Sequence, residues 1–113
     1  MIRNDALLTD LYQLSMVQGY LEQGMEETAV FEFFVRKLPP GRSFLVAAGL
    51  AQVIEYLRTL SFSGEALAWL ESTGRFSSRL LDYLQNFSFT GDVHAMAEGT
   101  VFFADEPILR VTA

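Results

Sequence analysis

Four side chains have the types and spacing to do chemistry: Asp10, Tyr12, Arg36 and Lys37. The first two lie in Thr9-Asp10-Leu11-Tyr12-Gln13, which sets an acid, a phenol and an amide at the start of an otherwise apolar helical pattern. A helix start also carries unpaired backbone N–H groups and the positive end of the dipole. That combination suits a flat, anionic ligand. A tyrosine ring is a broad stacking platform, and offset stacking adds ~0.5–1.5 kcal/mol beyond area burial. Asp10 would orient a cation or a sugar hydroxyl. The competing roles are plain ones: an aromatic that anchors the core, and an N-cap carboxylate.

The second pair ends Phe33-Phe34-Val35-Arg36-Lys37-Leu38-Pro39, an apolar run closing in two cations. Arginine offers a bidentate fork and lysine a point charge, so a polyphosphate could use both. A solvated strand end is the competing reading. Lys37 is the sole lysine, and His94 the sole histidine. His94 sits in the middle of a strand-like run with no serine or cysteine motif beside it, which favours a structural role. One histidine without paired acids makes no metal ligand set. No glycine-rich phosphate loop is present, since Gly41 and Gly49 have neither of the required spacings. Glu98-Gly99 reads as a turn.

The elements that must hold these residues follow from periodicity and punctuation. Residues 10–23 predict a helix, capped by Asp10 or Thr9 and ended by Gly24. It has two apolar stripes: Leu14, Val17 and Leu21, and then Tyr12, Met16 and Tyr20. A helix apolar over most of its circumference is expected to be contacted on two sides. Residues 28–37 predict a strand, with Ala29, Phe31, Phe33 and Val35 on one face and Val30, Glu32, Phe34 and Arg36 on the other. Phe44–Ala47 predicts a short extended run. Helices follow at about 50–60, from Ser63 to about Leu70, and from Ser77 or Ser78 with Leu80, Leu81 and Leu84 inside. The tail changes period. Asp92–Ala97, Thr100–Ala104 and Ile108–Thr112 predict three short strands, expected to form an antiparallel meander. The class is α+β: N-terminal helix, apolar strand, helical segment and antiparallel β meander.

Composition narrows the function. The 113 residues make one domain of ordinary size, residues 1–113, and half of them are hydrophobic, so a core is affordable and disorder is not expected. The net charge of −6 argues against nucleic acid or an anionic membrane as partner. No apolar run approaches the ~20 residues of a membrane span, and the first residues lack the apolar core of a signal peptide. With no cysteine, disulfides and thiolate chemistry are excluded, and the cytoplasm is the expected compartment. The apolar fraction, with ten phenylalanines and a mean hydropathy of +0.23, is high for a small chain. Either the core is unusually aromatic or some surface belongs to another domain or subunit. The strand-like run up to Ala113 reads as a piece of a larger protein.

Taken in order, several segments resemble nicotinate phosphoribosyltransferase: Leu7-Leu8-Thr9-Asp10-Leu11-Tyr12-Gln13-Leu14-Ser15-Met16, residues 29–39, Phe44-Leu45-Val46-Ala47-Ala48-Gly49-Leu50, Phe89-Thr90-Gly91-Asp92-Val93, residues 98–103, and Glu106-Pro107-Ile108-Leu109-Arg110-Val111. The resemblance spans nearly the whole chain. It implies the N-terminal domain of a type II phosphoribosyltransferase without its α/β barrel. Such enzymes join nicotinate to phosphoribosyl pyrophosphate, giving nicotinate mononucleotide for NAD synthesis. They couple ATP hydrolysis through a phosphorylated histidine, use Mg²⁺, and usually form homodimers with shared active sites. By that resemblance Tyr12 would stack on nicotinate from the partner subunit, Arg36 and Lys37 would meet the phosphates of the sugar donor or of ATP, and Asp10 would lie beside the site. His94 and Ala97 depart from the family pattern, and neither looks catalytic. The phosphorylated histidine and the barrel phosphate sites are expected beyond Ala113, so this fragment alone is expected to be inactive, with no catalytic residue or metal site of its own. The alternative is a non-catalytic binding or dimerisation module, such as a regulatory paralogue.

Overall fold

The computed structural model describes residues 6–113. Nine elements follow in order: α1 (Leu11–Gln23), β1 (Val30–Phe33), β2 (Leu45–Val46), α2 (Leu50–Thr59), α3 (Gly64–Ser72), α4 (Ser78–Gln85), β3 (Asp92–Ala95), β4 (Val101–Phe102) and β5 (Leu109–Thr112). They divide into two compact units. One comprises residues up to Glu27 together with Tyr56–Phe89, and the other Thr28–Glu55 with Thr90–Ala113.

The first unit is helical. Its helices begin and end where local chemistry dictates. Ser63 Oγ accepts the Ala66 N–H (3.1 Å) and Ser77 Oγ accepts the Leu80 N–H (3.2 Å), so both serines are N-caps. Gly24 ends α1 in the left-handed region at φ 65°, and the Met25 N–H returns to the Tyr20 carbonyl (3.0 Å). That closure suits glycine, which has no Cβ to clash. The core is leucine. Leu70 and Leu80 are fully buried, Leu84 and Leu14 nearly so, with Val17, Leu21, Leu67 and Phe76 packed around them. The Gln18 side chain adds a polar tie between α1 and the start of α4, its Oε1 accepting the Ser77 N–H (2.8 Å). Trp69, the one tryptophan, stays exposed on α3 and borders a groove of about 370 Å³ with Leu7, Thr9, Leu11 and Leu14.

The second unit is a three-stranded antiparallel sheet in the order β1-β5-β3, with a separate β2-β4 pair. In the sheet Glu32 faces Arg110 and Arg110 faces His94, while Phe33 faces Leu109. The α+β class and the antiparallel pairing agree with the sequence reading, but the late strands do not form a meander. β3 pairs with β5 rather than β4, and β4 crosses to β2. The predicted strand over 28–37 is also shorter. It stops as a ladder at Phe33, because its partner turns away through Asp105-Glu106-Pro107, and Pro107 has no N–H to give. Single bonds continue the contact, from the Ile108 N–H to the Phe33 carbonyl (2.8 Å) and from the Asp105 N–H to the Val35 carbonyl (2.9 Å).

Candidate functional site

Asp10 and Tyr12 are both set by the start of α1. Asp10 occupies the N-cap position with extended backbone (φ −77°, ψ 144°), yet its carboxylate makes no capping bond. The position is that of a cap, but the side chain does not perform the task. Tyr12 is 57% exposed, and its hydroxyl accepts from Gln13 Nε2 (3.2 Å). It therefore does not anchor the core of its unit. The two stripes of α1 part company here: Leu14, Val17 and Leu21 pack on the leucine core, whereas Tyr12, Met16 and Tyr20 remain on the surface. Only one of the two expected contacts of α1 is met within the helical unit. The exposed stripe offers two phenol rings and a thioether along one line, with the flat face of Tyr12 nearest the helix start.

Arg36 and Lys37 belong to the second unit. Both are exposed, and both lie after β1 rather than within it. The face alternation predicted for Arg36 therefore does not apply; the cations sit in an irregular segment leading to Pro39. Asp10 and Tyr12 are neighbours by α1, and Arg36 and Lys37 by sequence, each pair within its own unit. His94 is exposed at the β3 edge of the sheet, opposite Arg110. Among the described residues no group of three or more histidines, cysteines, aspartates or glutamates is placed to hold a metal ion. No described helix is long and apolar enough to cross a membrane.

Sequence reasoning missed Glu98. Its turn is present, but its carboxylate does more than decorate it. One oxygen accepts the Gly49 N–H (3.1 Å) and the other accepts the Leu50 N–H, which is the start of α2. The capping acid of α2 thus comes from 48 residues downstream, where no local pattern could signal it. A similar device closes the next turn, where Glu106 Oε2 accepts the Phe103 N–H (2.7 Å).

Residues 7–113 match the family model described as the nicotinate phosphoribosyltransferase (NAPRTase) N-terminal domain. The chain belongs to the nicotinate phosphoribosyltransferase family. It is 50% identical over 108 residues to the nicotinate phosphoribosyltransferase pncB2 of Mycobacterium tuberculosis, covering 96% of this chain and 23% of the relative. It is 43% identical over 109 residues to the nicotinate phosphoribosyltransferase of Bacillus subtilis, covering 96% and 22%. The crystal structure of the human nicotinic acid phosphoribosyltransferase superposes with a TM-score of 0.80 at 32% identity, over 93% of this chain and 22% of that one. The chain thus spans less than a quarter of the length of the curated relatives it matches end to end. Membership of this family agrees with the resemblance carried by the ordered segments, and the α+β arrangement is that of its N-terminal domain.

Proposed function

We propose that this chain is the N-terminal domain of an enzyme that joins nicotinate to phosphoribosyl pyrophosphate, giving nicotinate mononucleotide and pyrophosphate for NAD biosynthesis. The observation that carries the reading is the 50% identity over nearly the whole chain to a protein bearing that activity in its name. The exposed Tyr12 ring at the helix start supports it, since a platform for a flat acid needs an uncovered face. In this reading Tyr12 stacks on the pyridine ring, and Asp10 lies beside it. Arg36 and Lys37 meet phosphate oxygens of the sugar donor or of ATP. The reaction breaks the bond from the sugar carbon to pyrophosphate and forms a bond to the ring nitrogen. Positive charge grows on the sugar carbon and negative charge on the leaving group, so held cations and a fixed ring lower the barrier. Mg²⁺, when bound, would neutralise pyrophosphate oxygens. ATP coupling, the phosphorylated histidine and the metal belong, in this reading, to the parts of the relatives that this chain does not cover. So do the barrel and the second subunit of a homodimer with shared sites, and the 113 residues alone are inactive.

The test is direct. The full-length protein, given nicotinate, phosphoribosyl pyrophosphate, ATP and Mg²⁺, is expected to make nicotinate mononucleotide; absence of product ends the enzyme reading. Tyr12→Ala is expected to raise the KM for nicotinate by about tenfold, the size of a lost stacking contact, with the fold retained. Unchanged nicotinate kinetics in that variant would remove Tyr12 from the site while leaving the enzyme reading in place.

A further inference from the structure

β2 and β4 share only two residue pairs, Leu45 with Phe102 and Val46 with Val101. A ladder so short specifies its register weakly, yet a slip of one residue would turn every side chain to the opposite face. Phe102 and Ala47 are the buried residues of this unit, so the register decides what is inside. Two backbone bonds extend the ladder, from the Ala47 N–H to the Thr100 carbonyl and from the Gly99 N–H to the Ala47 carbonyl, both 2.8 Å. They are neutral, and any aligned register could form their like.

The Glu98 carboxylate differs. It reaches both the Gly49 and Leu50 amides, one with each oxygen, at the positive end of α2. Charge-assisted bonds of this kind are roughly twice as strong as neutral ones. A slip of one residue along β4 would carry Glu98 about 3.3 Å along the strand, out of reach of both amides. Gly49, at φ 103°, fixes where those amides present themselves. We propose that Glu98 is the register pin of the β2–β4 pair: its carboxylate selects the one alignment in which the turn at 97–100 docks on the junction between β2 and α2. The pin holds two stretches separated by some fifty residues of helical chain, and it acts independently of which substrate the protein uses.

The experiment is hydrogen–deuterium exchange on the full-length protein, comparing the native sequence with Glu98→Gln and Glu98→Ala. The glutamine keeps size and one acceptor but turns an NH₂ group toward backbone donors. The expected result in both variants is exchange faster by about tenfold or more across 46–50 and 99–102, as loss of a charged hydrogen bond gives, with α3 and α4 unchanged. Native protection at 46–50 in Glu98→Gln overturns the proposal. So does an equal rise over the whole domain, or failure of both variants to fold, because either would make Glu98 a global stabiliser rather than a local pin.

Discussion

The helical unit and the sheet unit differ in how much apolar core they close by themselves. The first closes a leucine core, with Leu70 and Leu80 sealed and Leu14 and Leu84 nearly so, and leaves Leu8, Leu11, Trp69 and the stripe of Tyr12, Met16 and Tyr20 exposed around it. The second leaves its aromatics outside. Phe31 is 70% exposed and Phe33 62%, with Phe34, Phe44 and Phe103 also on the surface, and of the ten phenylalanines only Phe102 is buried. Helices can enclose a small core from three sides, whereas a three-stranded sheet covers neither of its faces by itself. The contrast teaches that the phenylalanine content is not a surplus of core. Five of the ten rings are exposed, all of them in the sheet unit, so the reading of an unusually aromatic core is not met.

Cutting into the sealed core should have the largest effect. Leu80→Ala is expected to destabilise the protein by about 3 kcal/mol, within the 2–5 kcal/mol typical of a buried leucine left as a cavity; denaturant unfolding measures it. Removing a cap from the same unit should cost less. Ser77→Ala deletes the Oγ acceptor of the Leu80 N–H and is expected to lower stability by about 1 kcal/mol, read as a shift in denaturation midpoint. The smallest change should come from the sheet. Phe31→Thr puts a β-branched strand former in place of an exposed ring, so the 113-residue chain on its own should change by no more than about 0.5 kcal/mol. If that substitution were as damaging as Leu80→Ala within this chain alone, the contrast between the units would collapse. If it were silent here and damaging in the full-length protein, the exposed ring would be identified as an interface contact.

The helices were legible in the sequence because their signals are local. Ser63, Ser77 and Gly24 stand next to the turns they cap, and Leu80 and Leu84 show the helical spacing of a buried face. The strands were legible as segments but not as partners. Which strand lies beside which is decided by packing over long sequence separations, and β5 in the middle of the sheet takes one neighbour, β3, from nearby in the chain and the other, β1, from far upstream. The end of β1 was misplaced for a related reason: alternation continues through Val35 and Arg36, while the ladder depends on a partner that turns at Pro107. Among the site candidates, the exposure of Tyr12 sets aside the role of core anchor within its unit, which periodicity alone left open. Glu98 was hidden most deeply. A Glu-Gly pair looks the same whether its carboxylate faces solvent or seizes a helix start from far along the chain.

Trp69 is the only indole in these 113 residues, and it stands on α3, outside the sheet. Within this stretch, intrinsic emission on excitation near the red edge therefore reports from a single place, the surface of α3.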